Sequence, residues 1–315
     1  MRNKRVWVAG HRGLVGSALV RRLQGEGCEI VVAPRESVDL RRPDQVERWM
    51  AEARPQAVFV AAAKVGGIHA NDTRPAEFIY DNLMIQSNIV EAARRVGVEK
   101  MMLLGSSCIY PRLAPQPIPE TALLTGPLEP TNQWYAVAKI AGIKLGQAYR
   151  RQYDCDFISV MPTNLYGPGD NFDLLSSHVV PALINKAHNA KTSRAPTIEV
   201  WGTGAVRREF LYVDDAADGM VHLMKNYSDE GIVNLGPGTD VPIIDLVALV
   251  CRVVGYKGGV RFDASRPDGV PRKMVDTTFA ASLGWQAKTP LKQGLEATYR
   301  WFVDNVASEA RRAVA

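Results

Sequence analysis

Long apolar runs are missing from the sequence: none reaches the length of about 18 residues that predicts a membrane-spanning helix. The first residues carry charges but no apolar stretch of signal-peptide length, and Gly10 interrupts the first short apolar run. The pattern therefore favours neither a membrane span nor a secretory signal. We expect a protein that works in the cytoplasm.

Cysteine is scarce, and its spacing is not that of a metal site. The four cysteines show no CxxC or zinc-type pattern; they are Cys28, Cys108, Cys155 and Cys251. In a reducing compartment such residues are free thiols, and burial is the ordinary reason for them. We therefore expect no metal site and no disulfide framework.

Blocks of like charge, internal repeats and low-complexity tracts are also missing. The formal net charge is +5, and the basic residues are spread along the chain. Short pairs such as Arg41-Arg42 do not form an arm for nucleic acid, so we expect neither a nucleic-acid nor a membrane partner. A mildly basic balance suits an anionic small molecule such as a nucleotide.

The first half of the chain alternates between strand-like and helix-like segments. Short apolar, β-branched runs predict strands at Arg5–Ala9, Glu29–Val32, Ala57–Ala61, Met101–Leu104 and Phe157–Met161. Amphipathic stretches predict helices at Leu14–Gln24, Pro43–Ala53, Pro75–Val96 and Tyr135–Tyr153. Strands separated by helices of this length indicate an α/β fold, a Rossmann-type doubly wound parallel sheet.

The regular alternation loosens after about residue 168. Further elements are predicted at His178–Ala190, Ile198–Trp201, Asp214–Lys225, Pro242–Gly255 and Leu291–Val306. We expect residues 1–168 to form the nucleotide-binding domain and residues 169–315 to form mainly a smaller, substrate-binding domain. A strand near 231–235 is expected to return to the main sheet.

A glycine-rich motif follows the first predicted strand and opens a helix. It has the pattern GxxGxxG and runs Gly10, His11, Arg12, Gly13, Leu14, Val15, Gly16. The first glycine permits a tight turn, the second lets the backbone approach a pyrophosphate, and the third allows close packing of the helix. Free amides at the helix start attract the anion. In this context the motif predicts a dinucleotide site.

The end of the second strand bears on which dinucleotide binds. An NAD site usually has an acidic residue here for the ribose hydroxyl. Arg35, together with Arg12, could instead pair with a 2′-phosphate, which favours NADP. The alternative gives the ribose to Glu36 and predicts NAD. Asp39 and Leu40 are then expected near the adenine.

A YxxxK pattern, Tyr135 to Lys139, opens the fourth long helix. Positions i and i+4 lie on one helical face, so the phenol and the ammonium can point at one site. We expect the ammonium to favour the phenolate and to lower the tyrosine pKa. Ser106 and Ser107 follow the fourth strand, at the carboxyl end of the sheet, where ligands bind in this architecture.

These motifs, in this order, resemble the extended, sugar-nucleotide branch of the short-chain dehydrogenase/reductase superfamily. Longer segments are similar to the GDP-L-fucose synthase family within it, and the similarity runs nearly end to end. The segments are Ala61–Ile68, Gly105–Pro111, Glu129–Asn132, Pro162–Pro168, Val200–Gly204 and Arg266–Gly269. The run Arg208–Asp215 supports the broader resemblance to the extended branch.

The resemblance implies a two-part reaction on GDP-4-keto-6-deoxy-D-mannose: epimerisation at C3 and C5, then NADPH-dependent reduction at C4. It implies that Ser106 and Tyr135 hold the C4 oxygen and that Tyr135 protonates it. It further implies that Lys139 lowers the tyrosine pKa and binds the nicotinamide ribose. It also implies that Cys108 and His178 are the epimerisation pair. A thiolate and an imidazole titrate in a useful range for moving protons next to a ketone.

The resemblance further implies two binding sets and a homodimer. The substrate-binding set is Lys186, Trp201, Arg208 and Asp268. The cofactor set adds to the glycine loop Arg35, Asp39, Leu40, Leu104, Gly105, Ser106, Ser107, Tyr135, Lys139, Pro162, Thr163, Asn164, Leu165 and His178. The homodimer is expected to form through the helices at Pro75–Val96 and Tyr135–Tyr153.

Three alternatives are weighed against this interpretation. A 4,6-dehydratase should carry an acidic pair after the strand-four hydroxyl, where this chain has Ser107, Cys108 and Ile109. A simple 4-epimerase leaves Cys108 and His178 unexplained. A non-catalytic NADP-binding regulator would have no reason to keep Ser106, Tyr135 and Lys139 together, although fold alone does not decide function.

Overall fold

A computed structural model describes residues 1–174, 176–266 and 268–308. Leu175, Pro267 and residues 309–315, all within the predicted second domain, lie outside the described residues. The strands are β1 Arg5–Ala9, β2 Glu29–Val31, β3 Ala57–Val60, β4 Lys100–Leu104, β5 Phe157–Pro162, β6 Asn164–Tyr166, β7 Thr197–Trp201, β8 Arg207–Tyr212, β9 Ile232–Leu235, β10 Asp240–Pro242, β11 Gly259–Asp263 and β12 Arg272–Lys273.

The helices are α1 Leu14–Leu23, α2 Pro43–Ala53, α3 Ile68–Thr73, α4 Pro75–Val96, α5 Gln133–Tyr153, α6 Val179–Ser193, α7 Val213–Asn226, α8 Ile243–Val254, α9 Thr278–Ser282 and α10 Leu291–Phe302. Short helical turns occur at Gln24–Glu26, Ser107–Ile109, Glu120–Ala122 and Val303–Ala307. None of the helices in the described part of the chain is long and apolar enough to cross a membrane.

The main sheet has six strands in the order β2-β1-β3-β4-β5-β9, and every neighbouring pair is parallel. Its central strands are buried along almost their whole length, because helices cover both faces. One apolar core joins the sheet to α1 and α7, and another joins it to α2 and α4. The predicted doubly wound parallel sheet is confirmed.

A second group of elements lies at the carboxyl end of this sheet. β8 pairs with β10, β12 and β6, and β7 pairs with β11. The apolar faces of α6, α8 and α10 form a separate core against these strands. β6 follows β5 after Thr163 alone, so this group is joined to the main sheet by a very short connection.

The loops after β1, β4 and β5 leave the sheet at the same edge, because the strands are parallel. A Cβ added to Gly10, after β1, would lie 2.7 Å from the backbone of Ala62, after β3. The first loop therefore packs directly against the third. This edge, next to the second group of elements, is where the predicted site residues gather.

Candidate active site

The glycine loop has the close packing that its sequence predicts. Gly10 has a φ of +84°, in the region that favours glycine. A Cβ on Gly16 would lie 2.0 Å from the Gly10 carbonyl oxygen, so α1 can begin this close to the turn only with glycine there. Leu14 and Val15 start the helix beside it, both half-buried.

This loop fits the pyrophosphate of a dinucleotide. No side chain caps the start of α1, and an added Cβ on Gly13 would meet only the Gly10 oxygen, at 3.5 Å. An anion can therefore approach the first amides of the helix. His11 lies in the loop, and its buried Nδ1 has no hydrogen-bond partner among the described residues.

The expected 2′-phosphate residues lie at the exposed rim beside this loop. Arg12 forms an ion pair with Glu36 at 2.8 Å, and Arg35 is exposed. Arg12 thus contacts the very carboxylate that the NAD alternative would assign to the ribose. Next to them Asp39 accepts from Arg41, which lowers the pKa of its carboxyl to about 2. The Leu40 carbonyl accepts from Asn88 of α4.

Ser106 and Tyr135 are brought into direct contact. Ser106 begins the helical turn after β4, and its hydroxyl oxygen accepts the Cys108 amide at 3.3 Å. Tyr135 lies in the first turn of α5, and its hydroxyl is hydrogen-bonded with that of Ser106. Two hydroxyl groups from different elements therefore meet at one point, where they can share a ligand oxygen.

Lys139 lies on the same face of α5 as Tyr135. Its ammonium is 5.7 Å from the centre of the Tyr135 ring and donates to the Leu104 carbonyl at 2.7 Å. The residue is buried, and this burial lowers its pKa to about 8, because a charge is disfavoured away from water. At neutral pH the group remains mainly protonated.

The electrostatic state of Tyr135 differs from the sequence-based expectation. Its pKa is raised rather than lowered, first because burial disfavours the phenolate and also because Cys108 lies close to it. The hydrogen bond with Ser106 acts in the opposite direction and is outweighed. The expected lowering by Lys139 is therefore wrong for this structure, where the ammonium is directed at the Leu104 carbonyl.

Cys108 lies in the same site as Ser106 and Tyr135. Its sulfur lies 3.5 Å from the Asn132 amide nitrogen and 3.2 Å from the ammonium of Lys273. Burial raises the pKa of the thiol, but Lys273, Ser106 and Arg208 outweigh it, so the pKa is lowered overall. The other three cysteines have raised pKa values, mainly because of burial. Cys108 is thus distinguished by its environment.

His178 is positioned by the segment before α6. It occupies the position immediately before that helix and is exposed, while the surrounding protein lowers its pKa through desolvation. A Cβ on Gly67 would lie 2.7 Å from the Ser177 carbonyl oxygen, so the loop after β3 packs tightly against this segment. Within the described residues, His178 makes no hydrogen bond with Ser106, Cys108 or Tyr135.

The four expected substrate residues lie together in the second group of elements. Lys186 of α6 lies over the Trp201 ring, with its ammonium 5.6 Å from the ring centre. Asp268 accepts the Thr203 amide at 2.8 Å, and its carbonyl accepts from Arg208 at 3.2 Å. Half of Trp201 is exposed, so one side of this cluster can stack on a ligand.

The rest of the expected cofactor set follows β4 and β5. A Cβ on Gly105 would lie 2.3 Å from the Met161 sulfur, and Ser107 is buried. After Pro162, the Thr163 amide donates to the Leu235 carbonyl, and the Asn164 side chain donates to the Glu209 carbonyl. Leu165 continues as β6. These contacts fix the backbone between the main sheet and the second group.

Two residues at the site were not assigned a role from the sequence: Lys273 and Asn132. Lys273 stands in β12, a strand of two residues, and only its pairing with β8 brings it to Cys108. No local pattern marks such a lysine. Asn132 precedes α5 in a segment that carried part of the family resemblance, so its place in the site could have been suspected. In the described residues no cluster of histidine, cysteine and carboxylate side chains could hold a metal ion.

Comparison with known proteins identifies a matching family and a highly similar relative. The NAD dependent epimerase/dehydratase family matches residues 6–236 of this chain. A GDP-L-fucose synthase of Sinorhizobium fredii is 58% identical over 304 residues, covering 96% of this chain and 97% of the relative.

Solved structures extend the comparison to the fold. A GDP-6-OMe-4-keto-L-xylo-heptose reductase from C. jejuni superposes with a TM-score of 0.92 at 34% identity, covering 96% of this chain and 98% of that chain. A GDP-L-fucose synthetase from Naegleria fowleri bound to NADP gives a TM-score of 0.91 at 29% identity, covering 98% of this chain and 96% of that chain.

Proposed function

The chain belongs to the NAD dependent epimerase/dehydratase family, and from this premise we propose that it catalyses the reaction of a GDP-L-fucose synthase. This reaction is the NADPH-dependent 3,5-epimerisation and 4-reduction of GDP-4-keto-6-deoxy-D-mannose to GDP-L-fucose. One observation carries the proposal: the thiol of Cys108, with its lowered pKa, lies beside the hydrogen-bonded hydroxyl groups of Ser106 and Tyr135. A reductase alone needs the hydroxyl pair, whereas epimerisation also needs a base.

In the epimerisation, the hydroxyl groups of Ser106 and Tyr135 bind the C4 oxygen of the sugar. A proton leaves C3 or C5, the electron pair of the broken C–H bond enters an enolate, and Cys108 accepts the proton as the thiolate. His178 takes up a proton from water, to which it is exposed, and delivers it as the imidazolium to the opposite face; its lowered pKa makes the imidazolium a stronger acid. Donors already directed at O4 stabilise the negative charge that develops there.

In the reduction, bound NADPH supplies the hydride. Tyr135 donates its phenolic proton to O4, and its raised pKa keeps the phenol protonated and ready to act as the acid at neutral pH. Ser106 orients the same oxygen. Lys139, still mainly protonated at neutral pH, binds the nicotinamide ribose in this proposal, with its ammonium 5.7 Å from the centre of the Tyr135 ring.

In this proposal one set of residues binds the cofactor and the other binds the GDP-sugar. Residues 1–168, joined by β9, would hold NADP(H), with the first amides of α1 available to the pyrophosphate and Arg12 and Arg35 available to the 2′-phosphate. Residues 169–315 mainly bind the GDP-sugar, with Lys186, Trp201, Arg208 and Asp268 around the nucleotide. We propose a homodimer formed through α4 and α5. The cytoplasm, which is reducing, suits the four free cysteines.

The decisive experiment incubates the protein with NADPH and the keto sugar nucleotide in heavy water. We expect NADPH oxidation and deuterium at both C3 and C5 of the product, counted by NMR. NADPH oxidation with no deuterium at either carbon would contradict the epimerase half and leave a 4-reductase. No oxidation, together with tight NADPH binding, would favour a non-catalytic regulator.

Two variants separate the two half-reactions. Tyr135→Phe should lower NADPH oxidation by about 100-fold or more and leave deuterium exchange into the substrate, because Ser106 still binds O4. Cys108→Ser should lower the exchange by about 100-fold, and any reduced product should keep the unepimerised configuration. A Cys108→Ser protein that makes GDP-L-fucose at the full rate would remove Cys108 from the mechanism.

A further inference from the structure

Lys273 and Cys108 meet across the two groups of elements. Cys108 lies in the helical turn after β4 of the main sheet, whereas Lys273 lies in β12, beside Arg208 of β8. The Lys273 ammonium nitrogen is 3.2 Å from the Cys108 sulfur. This is a hydrogen-bonding distance for a sulfur acceptor, so the contact is specific.

The charge of Lys273 is not neutralised by a carboxylate. Its neighbour Arg272 binds Asp240 at 2.5 Å, but no acidic side chain in the described ranges lies within ion-pair distance of Lys273. A lysine usually finds water or an acidic partner, and this one contacts a thiol instead. An ammonium so placed stabilises the thiolate over the neutral thiol.

Arg208 is the other cation near Cys108, but it is differently engaged. Its guanidinium donates to the Arg207 carbonyl at 2.8 Å and to the Asp268 carbonyl at 3.2 Å. It acts on the thiol only through its charge, while Lys273 also donates a hydrogen bond. Tyr135 also faces Cys108, and the two groups interact electrostatically.

We propose that Lys273 is a positioning residue that holds Cys108 as a thiolate before substrate binds. This inference rests on the proposed function for its purpose, because a thiolate is the form of Cys108 that can take a proton from C3 or C5. In that step the sulfur gains the proton and the ammonium keeps its own three. Lys273 therefore acts through Cys108 and has no direct part in breaking the C–H bond.

The test measures the reactivity of the thiol in the absence of the sugar. Iodoacetamide reacts with thiolates, so the alkylation rate of Cys108 against pH reports its pKa; peptide mass spectrometry separates it from the other three cysteines. Lys273→Met should raise the pH midpoint of Cys108 alkylation by about one unit and slow the reaction at neutral pH about tenfold. Lys273→Arg should restore much of the rate, because it keeps the charge.

Control variants test whether the change in Cys108 alkylation is specific to the loss of the Lys273 charge. Lys292→Met removes an exposed lysine on α10 that pairs with Glu296 of the same helix rather than with Cys108, and it should leave Cys108 alkylation unchanged. Lys273→Gln provides a second neutral variant should Lys273→Met fail to fold. Unchanged Cys108 alkylation in a folded neutral variant would overturn the proposal.

Activity then separates this role from contact with the substrate. In heavy water, Lys273→Met should lower deuterium exchange most strongly at low pH and regain part of the loss as the pH rises toward the new midpoint. A residue that bound only the diphosphate would raise KM at every pH and leave the free thiol unaffected. If the thiol shifts as expected but no sugar reacts, the thiolate assignment stands and the proposed function fails.

Discussion

At the scale of single residues, Lys139 carries its charge in a place where burial disfavours the charged form. Its ammonium is buried, donates to one carbonyl, and has a pKa lowered to about 8. A shift of this size from the ordinary value of 10.5 corresponds to about 3 kcal/mol against the charged form at neutral pH. In the proposed function this charge binds the nicotinamide ribose beside Tyr135.

Lys139→Met should therefore make the protein more stable and less active. Losing the bond to Leu104 costs about 1–2 kcal/mol, so we expect a net gain of about 1–2 kcal/mol at pH 7, measured by urea unfolding. Turnover should fall by about 100-fold or more, because in the proposed function Lys139 no longer binds the nicotinamide ribose beside Tyr135.

The pH dependence of the free energy of unfolding provides a control for the Lys139→Met prediction. Between the folded pKa of about 8 and the ordinary value of 10.5, the unfolded chain binds more protons at this position than the folded one. The contribution of Lys139 to stability therefore rises with pH across this window. This rise should be present in the wild-type protein and missing in Lys139→Met; equal curves for both would contradict the assignment of a costly buried charge.

At the scale of elements, the first turn of α1 depends on close packing. An added Cβ on Gly16 would lie 2.0 Å from a backbone oxygen that cannot move aside as a flexible side chain could. Gly16→Ala should push α1 away from the Gly10 turn and displace the amides that we propose bind the pyrophosphate. We expect NADPH affinity, measured by fluorescence titration, to fall by about 100-fold, with a loss of thermal stability.

Gly25→Ala is the matched control, because an added Cβ there meets nothing within 4 Å and its φ is not positive. It should bind NADPH as the wild-type protein does. If Gly16→Ala bound NADPH equally well, the glycine loop would not be the pyrophosphate site.

The sequence predicted the elements of the first half well, because each carries its own periodic signal. The predicted bounds of β1, α2 and α4 agree with the structure at both ends. β8 was missed because Arg207, Arg208 and Glu209 begin it with three charged residues. β12 has two residues and no pattern at all. Long-range pairing, which the sequence does not display, defines such strands.

The sequence also does not reveal the long-range partners of a single buried side chain. Glu209 is completely buried, and its carboxylate accepts the amides of Gly238 and Val275 at 2.8 and 2.9 Å, tying β8 to two other segments. Burial raises its pKa to about 7. Sequence reasoning quoted this residue as part of a family segment but could not give it this structural role, since both partners lie far away in the chain.

On the scale of the whole molecule, the site is assembled where the two groups of elements meet. The main sheet and α5 contribute Ser106, Cys108 and Tyr135, while β8 and β12 contribute Arg208 and Lys273. The sequence predicted Ser106 at the carboxyl end of the sheet and Tyr135 on one face of a helix, whereas the place of Cys108 at the site followed from the family resemblance. The contact of Lys273 required the fold of the second group, which no motif encodes.

The outer face of the molecule bears on the proposed homodimer. α4 and α5 pack against each other, with Gln86 donating to the Ala138 carbonyl, and together they expose large apolar side chains. Tyr80 of α4 is 60% exposed, and Val137 and Tyr153 of α5 are 41% and 45% exposed. Exposed apolar side chains on two adjacent helices are groups that a subunit interface would cover.

Tyr80→Glu should therefore shift the protein from dimer to monomer, because a charge would be buried without a partner at the interface. Light scattering after size-exclusion chromatography should give twice the 34.6 kDa chain mass for the wild-type protein and a single chain mass for the variant. Ile244→Glu, at an exposed apolar position on α8, is the control and should stay dimeric. A wild-type protein that elutes as a monomer, or a Tyr80→Glu protein that remains a dimer, would exclude α4 as the centre of the interface.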